Sequence, residues 1–290
     1  MELSQLKHVV RPLVPAGLIA LNARRRREGE RQLEIQRRQK FNSLKDIVSS
    51  TIAAIWALTD SQCADADFLE NIFIPALGLN DECLHEQPPE LSASFGKGLH
   101  IWQYPSQLAG YLVWLSRNAA HIESYLEIGC RWGGTFILIS EWIRRTGGRL
   151  RAVTCVDPIE PTPFIEAYFD LIRKQSPAVQ SPIQGTYLCE FSTSATVRRA
   201  VDRIRPDFVF IDGDHSLRGA LADHLLVRDY ARIIVHHDVY SQACPDTTFL
   251  WETLRRLESH EFDFVEFVNQ YSSVAGQFLG IGVMKRKSQF

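Results

Sequence analysis

The sequence lacks any uninterrupted apolar run of about 18 residues, so we expect no helix that spans a membrane. A signal peptide is not expected either, because the apolar stretch at 13–21 contains Pro15 and Gly17 and precedes the arginines instead of following them. The six cysteines form no CxxC pair, which argues against a zinc site or a disulfide framework. These absences favour a cytoplasmic protein.

Positive charge is concentrated at the start of the chain. Residues 1–45 hold eleven Lys or Arg and four Glu, a balance of +7, so the remainder carries −9 for a net charge of −2. We expect a basic helical extension there, and three roles stay open for it. It can be a solvated or oligomerisation helix in a homo-oligomer, or a peripheral membrane contact through residues 9–40. The third role is nucleic-acid binding, which the acidic remainder disfavours, so we expect no nucleic-acid partner.

Helical and loop segments over 46–120, with one or two helices at 44–80, precede a region where short apolar runs alternate with helical ones. This alternation predicts an α/β fold, a Rossmann-like and mostly parallel sheet covered by helices on both faces. The last two of seven strands are expected to form an antiparallel edge hairpin. Strands are predicted at 124–128, 150–156, 186–189, 207–211, 231–236, 262–268 and 278–284. The expected domains are 1–45, 46–120 and 121–290.

A glycine-rich turn follows the first predicted strand, in Tyr125-Leu-Glu-Ile-Gly-Cys-Arg-Trp-Gly-Gly-Thr135. Ligands of open α/β sheets bind at the carboxyl ends of strands, where such turns let backbone approach them. Glu127 can pair with a cationic amino-acid group, and Asp157 at the next strand end can accept hydrogen bonds from a ribose. Arg131 stands where a GxGxxG motif has its second glycine, which argues against a dinucleotide. The alternative is a purely structural turn.

Acidic residues and histidines follow the fourth and fifth predicted strands. Because these strand ends neighbour each other, we expect five residues to converge within one pocket: Asp212, Asp214, His215, His237 and Asp238. Concentrated carboxylates are costly without a cation, which predicts a divalent metal, Mg²⁺ first and Mn²⁺ as the alternative. A neutral imidazole beside it can accept a proton. The alternative is that these residues cap helices and satisfy backbone groups.

Four motifs together resemble those of the metal-dependent sugar O-methyltransferases. They are Glu127-Ile-Gly-x-x-x-Gly-Gly-Thr135, Val156-Asp157, Ile211-Asp-Gly-Asp-His-Ser216 and His237-Asp238. This group of class I enzymes includes the macrocin and mycinamicin O-methyltransferases, and cephalosporin hydroxylase-like proteins share similar motifs. The resemblance covers about residues 95–285. It implies that His215 is the general base and that the metal ligands are Asp212, His237 and Asp238. It also implies that S-adenosylmethionine is held by Glu127, Gly129, Gly133, Asp157 and Asp212.

These observations predict an S-adenosylmethionine-dependent O-methyltransferase with a small-molecule or glycan acceptor. The acceptor group would be a hydroxyl of a sugar or of a glycosylated or lipid-linked metabolite, as in polysaccharide or natural-product biosynthesis. Two alternatives stay open: a cephalosporin hydroxylase-like enzyme, and a non-catalytic assembly subunit with a methyltransferase fold. The intact Asp212, His215 and Asp238 argue against the second.

Overall fold

Seven strands form one sheet in the computed structural model, which describes residues 45–174 and 183–287. The strands are β1 Ser124–Ile128, β2 Ala152–Asp157, β3 Gln184–Cys189, β4 Phe208–Ile211, β5 Ile233–His237, β6 Phe262–Phe267 and β7 Ile281–Arg286. Their order across the sheet is β3-β2-β1-β4-β5-β7-β6. β1 to β5 pair in parallel, whereas β7 is antiparallel to both β5 and β6. The predicted fold class is therefore confirmed.

Helices precede the sheet and connect its strands. α1 covers residues 45–57, α2 is Asp60–Cys63, and α3 runs from Ala66–Phe68 through a π-helical turn, Leu69–Phe73, into Ile74–Leu77. The longer helices that follow are α4 Pro105–Ser116, α5 Gly134–Arg145, α6 Pro163–Lys174, α7 Ala195–Ile204, α8 Leu217–Val227 and α9 Pro245–Leu257. Short 3₁₀ turns lie at Leu84–Glu86, Pro89–Ser94 and Ala119–His121.

The prediction of one or two helices over 44–80 was wrong, because two capping residues interrupt the segment. Thr59 forms a capping box with Gln62 and starts α2. The side chain of Asp65 accepts a hydrogen bond from the Phe68 N–H at 3.0 Å and starts α3. Each cap satisfies backbone donors at a helix start, so the chain forms three helices where the apolar spacing suggests a longer one.

The last strand begins later than its apolar residues predict. The expected range was 278–284, and β7 is Ile281–Arg286. Leu279 has a φ of 62° and Gly280 a φ of 106°, and neither is compatible with an extended strand. The chain therefore turns before it enters the sheet between β5 and β6.

Apolar clusters cover both faces of the sheet, and alternate residues of β1 show the division. Tyr125 packs in a cluster with residues of α1 and α3 to α6, whereas Leu126 packs in a cluster with residues of α7 to α9. The first cluster joins residues of the two predicted parts, 46–120 and 121–290, in one core. The division into those domains stays a prediction, and the basic extension at 1–45 lies almost wholly outside the described residues. Within the described ranges, no helix has the length and apolar character needed to cross a membrane.

Candidate active site

The turn after β1 places backbone from two strand ends in direct contact. Gly129 has a φ of 84°, and its N–H donates to the Val156 carbonyl at 2.9 Å. A Cβ at Gly129 would lie 2.0 Å from the carbonyl oxygen of Asp212. Gly133 also has a φ of 84°, and a Cβ there would lie 2.4 Å from Cγ1 of Ile165. Both positions therefore require glycine, which fixes the path of the turn.

Asp157 ends β2 and holds the glycine-rich turn in place. Its carboxylate oxygens accept hydrogen bonds from the N–H of Arg131 at 2.9 Å and from that of Ile159 at 3.0 Å. The residue lines the main cavity. Because each carboxylate oxygen can accept more than one hydrogen bond, Asp157 retains acceptor capacity for ribose hydroxyls.

Glu127 is buried beside the same turn and faces the cavity. The Tyr125 hydroxyl donates a hydrogen bond to its carboxylate. Burial raises the pKa of Glu127 well above its ordinary value, despite the opposing effect of that hydrogen bond. A cationic ligand group placed next to it would favour the ionised carboxylate. Glu127 can therefore receive an ammonium group at a buried carboxylate.

The ends of β4 and β5 bring two carboxylates and two imidazoles together. His215 Nε2 lies 3.3 Å from Asp212 Oδ1 and 3.5 Å from Asp238 Oδ2. His237 Nδ1 lies 3.0 Å from the same Asp212 oxygen and 3.4 Å from the same Asp238 oxygen. Four of the five residues predicted to converge are therefore in contact. We call Asp212, His215, His237 and Asp238 the imidazole–carboxylate cluster, and all four line the same cavity as Asp157 and Glu127.

The fifth residue, Asp214, has another role. Its carboxylate accepts a hydrogen bond from the Ser216 N–H at 2.9 Å, and that bond lowers the pKa of Asp214. Ser216 in turn caps α8, where its hydroxyl accepts from the Gly219 N–H. Asp214 therefore lines the same cavity, as predicted, and its carboxylate shapes the turn that carries Asp212 and His215.

The charges of this cluster compensate one another. The hydrogen bond to Asp212, followed by that to Cys244, raises the pKa of His215 to about 10. Burial opposes the charge on His237, but the carboxylates of Asp212 and Asp238 outweigh it and raise the pKa of His237 well above its ordinary value. Burial likewise opposes the charge on Asp212, and the two histidines lower its pKa. A dication at the carboxylates would replace this compensation and favour the neutral imidazoles.

The donor set fits a divalent metal ion. Ligand atoms of Asp212, His237 and Asp238 all lie within 4.8 Å of one another. His237 is buried, and its Nδ1 lies at ion-pair distance from both carboxylates without a hydrogen bond of regular geometry to any described residue. A buried ring nitrogen beside two carboxylate oxygens can exchange its proton for a cation, so this donor set suits a metal ligand.

Several cavity residues carry no local motif and were missed in the sequence. Cys244, at the start of α9, places its Sγ 3.4 Å from His215 Nδ1. Near Asp157, the side chains of Ile159 and Phe191 are largely exposed although apolar. Glu86 also lines the cavity. Nothing in the spacing of these residues signals the contact, because the fold alone brings their loops to one rim.

A single cavity of about 590 Å³ joins these parts. One end is lined by the glycine-rich turn, Asp157, Ile159 and Phe191, and the other by the imidazole–carboxylate cluster. Cavities of this volume are typical of sites for small-molecule ligands. The arrangement provides a nucleoside-sized region next to a proton acceptor and a cation site.

Comparison with solved structures finds similar chains at low identity. The O-methyltransferase TomG from Streptomyces achromogenes, solved with SAM, is 14% identical over 80% of this chain and 100% of its own, with a TM-score of 0.45. CalS11, a TDP-rhamnose 3'-O-methyltransferase of calicheamicin biosynthesis, is 13% identical over 83% of this chain and 94% of its own, with a TM-score of 0.43. MycE from the mycinamycin pathway, solved with Mg and SAH, is 14% identical over 66% of this chain and 50% of its own, with a TM-score of 0.41. Among curated proteins, none matches this sequence.

A protein-family model described as a methyltransferase domain matches residues 126–239. The matched range begins within β1 and ends just after Asp238, so it contains the glycine-rich turn, Asp157 and all four residues of the imidazole–carboxylate cluster. Residues 126–239 therefore match a methyltransferase domain, in agreement with the predicted enzyme class, a methyltransferase.

Proposed function

We propose that this protein transfers a methyl group from S-adenosylmethionine to a hydroxyl oxygen, with the help of a divalent cation. The observation that carries the proposal is the shared cavity. The imidazole–carboxylate cluster opens into the same space as the glycine-rich turn, and the two touch where Gly129 meets the Asp212 carbonyl. A methyl donor and a deprotonated acceptor need this proximity, because transfer requires both substrates to be held in line.

One end of the cavity has the groups that the methyl donor requires. Asp157 would accept hydrogen bonds from the ribose, and Glu127 would pair with the ammonium of the methionine part. Ile159 and Phe191 offer apolar surface for the adenine on the side of Asp157. Gly129 and Gly133 keep the turn free of side chains, so the backbone approaches the donor closely.

The other end would prepare the acceptor. Asp212, His237 and Asp238 would hold the cation, which when bound supplies positive charge that acidifies and orients a hydroxyl. His215 would accept the proton at Nε2, the ring atom that faces the carboxylates. The His215 side chain is 45% exposed and lines the cavity, so an acceptor can reach it. Cys244 contacts the opposite ring nitrogen and would orient the imidazole.

We infer that the acceptor is a sugar or a glycosylated metabolite. The inference rests on the motif resemblance at Ile211-Asp-Gly-Asp-His-Ser216. Glu86 and Trp102 both line the cavity, and a carboxylate and an aromatic ring suit a carbohydrate surface. An apolar or lipid-linked part of the acceptor, contact of residues 9–40 with a membrane, and a homo-oligomeric state stay predictions.

The test is transfer of a labelled methyl group from S-adenosylmethionine to a panel of nucleotide sugars, glycosides and glycosylated macrolides, with and without divalent metal. Label in a sugar product, lost in His215→Ala and reduced by chelation, would support the proposal. Cofactor binding without transfer to any hydroxyl acceptor, with product oxidised instead of methylated, would favour the hydroxylase-like alternative. An unmodified acceptor and no binding of S-adenosylmethionine would favour the non-catalytic alternative.

A further inference from the structure

The cation site contains an imidazole nitrogen where a magnesium site has oxygen. His237 occupies the last position of β5, and its side chain is 6% exposed. Its Nδ1 forms no hydrogen bond of regular geometry with the described residues, and it lies 3.0 Å from Asp212 Oδ1 and 3.4 Å from Asp238 Oδ2. A buried nitrogen between two carboxylate oxygens is compensated by a proton or by a cation that takes its lone pair.

The backbone is shaped to place this nitrogen next to a carboxylate. Successive side chains of a strand point to opposite faces, so His237 and Asp238 would diverge in a regular extension of β5. Asp238 instead has a φ of 55°, a left-handed conformation that is costly for a residue with a Cβ. This turn brings the two side chains to the same cavity. The strain is located where the nitrogen joins the oxygens, as expected of a built site.

Softer donors surround the same carboxylates. His215 lies on the other side of the two oxygens, and Cys244 places its Sγ within 4.8 Å of ligand atoms of His215 and Asp238. Mg²⁺ prefers oxygen ligands in octahedral geometry, whereas imidazole and thiolate suit first-row transition ions. The site combines one buried imidazole nitrogen with two carboxylates, and a second imidazole and a thiol lie nearby. This set of donors therefore disfavours magnesium.

We propose that this site selects a first-row transition ion, of the Mn²⁺, Fe²⁺, Co²⁺ and Zn²⁺ class, over Mg²⁺, with His237 Nδ1 as a direct ligand. The inference rests on the proposed function only in locating a cation at this cluster. Metal binding and its ligand atoms are measured without any acceptor or turnover. If the protein transfers no methyl group, the metal-binding measurements still test the selectivity. If the site does not select a transition ion, the proposed S-adenosylmethionine site is unaffected.

Pulsed electron paramagnetic resonance of Mn²⁺ added to the chelator-treated full chain gives the direct test. Coordinated imidazole nitrogen couples to the manganese electron spin, so we expect this ¹⁴N coupling in the wild type and its loss in His237→Gln. The amide of glutamine keeps an oxygen donor at that position. The matched control is His260→Gln, which removes an exposed histidine distant from the cavity lining. A coupling that persists in His237→Gln and disappears in His215→Gln would overturn the assignment.

Metal affinities are the second measurement. Most nitrogen-containing sites bind transition ions more tightly than Mg²⁺ to some degree, so the test compares how one substitution changes the affinity for each ion. We expect His237→Gln to weaken Mn²⁺ and Co²⁺ binding by roughly tenfold or more, since even outer-shell changes cost about 10- to 100-fold. Mg²⁺ affinity should change much less, so the selectivity ratio should fall. Equal losses of Mg²⁺ and Mn²⁺ affinity in His237→Gln would overturn the proposal. So would the absence of Mn²⁺ binding by the folded wild-type protein when that protein binds S-adenosylhomocysteine.

Discussion

Gly129 and Asp212 touch through their backbones: a side chain at Gly129 would meet the Asp212 carbonyl oxygen at 2.0 Å. Gly129 belongs to the turn after β1, and Asp212 follows β4, the strand beside it. The Asp212 N–H also donates to the Ile128 carbonyl at 2.8 Å. The glycine-rich turn and the imidazole–carboxylate cluster are therefore one structural unit. A substitution that displaces one of them should also displace the other.

Gly129→Ala should abolish binding of S-adenosylhomocysteine and weaken metal binding together. The Cβ requires the loop of Asp212 to move, and it also strains a φ of 84°. Gly147→Ala separates the two effects, because Gly147 has a φ of 104° and no atom of the described residues lies within 4 Å of a Cβ there. We expect that control to lose about 1–2 kcal/mol of unfolding free energy and to keep both affinities. Calorimetric titration measures the affinities, and urea unfolding the stability. Equal affinities in Gly129→Ala and the wild type would contradict the coupling.

Phe191→Ala should weaken binding of S-adenosylhomocysteine by about 10- to 100-fold, because burying a Phe side chain contributes about 1.5–3 kcal/mol. Phe191 is 69% exposed at the cavity, and we expect the adenine to cover it. Phe249 is 57% exposed on α9 and does not line the cavity. Phe249→Ala should therefore bind as the wild type does. A similar loss in both variants would place the adenine elsewhere.

His215→Ala should lower the methyl-transfer rate by about 10²- to 10⁴-fold, the range expected when a general base is lost. Its effect on the affinity for S-adenosylhomocysteine should be small, since His215 lies among the carboxylates and not at Asp157 or Phe191. The measurement is kcat with saturating acceptor, compared with His260→Ala at an exposed position. An unchanged kcat would mean that another group accepts the proton.

Asp223→Asn should stabilise the protein at neutral pH but not at acid pH. Burial, with a smaller contribution from Asp214, raises the pKa of Asp223 to about 6, above the ordinary 3.8. The folded state thus holds the proton more tightly than the unfolded state, so the stabilising contribution is full below about pH 4 and is lost as the pH rises through 6. Two pKa units correspond to roughly 3 kcal/mol, an upper estimate.

Urea unfolding of both proteins from pH 4.5 to 7.5 measures this difference. The difference in unfolding free energy between Asp223→Asn and the wild type should widen with rising pH. Contributions from other titrating groups cancel in this difference, because both proteins share those groups. A gap that is constant with pH would show that Asp223 is not the carboxyl that titrates.

The sequence predicted the sheet well, because buried parallel strands are short apolar runs and the helices between them have their own periodicity. All seven strands were predicted. The errors lie where single residues override the pattern. The caps at Thr59 and Asp65 divide the first helices, and the positive φ values of Leu279 and Gly280 delay β7.

The site was predicted to the extent that its residues follow strands. Asp212, His215, His237 and Asp238 are each within a few residues of a strand end, and adjacent strands bring them together. The position of Asp214 depends on a hydrogen bond within its turn, which spacing does not reveal. Cys244 is brought to His215 by the path of the chain from β5 into α9, and no local signal in the sequence marks that contact.

The central claim is that the cavity between the glycine-rich turn and the imidazole–carboxylate cluster binds S-adenosylmethionine. Calorimetric titration of S-adenosylmethionine and S-adenosylhomocysteine into the full chain, with and without Mn²⁺, tests it most directly. We expect both to bind with one site per chain and micromolar affinity, and to compete with each other. Absence of binding by the folded protein under both metal conditions would contradict the claim.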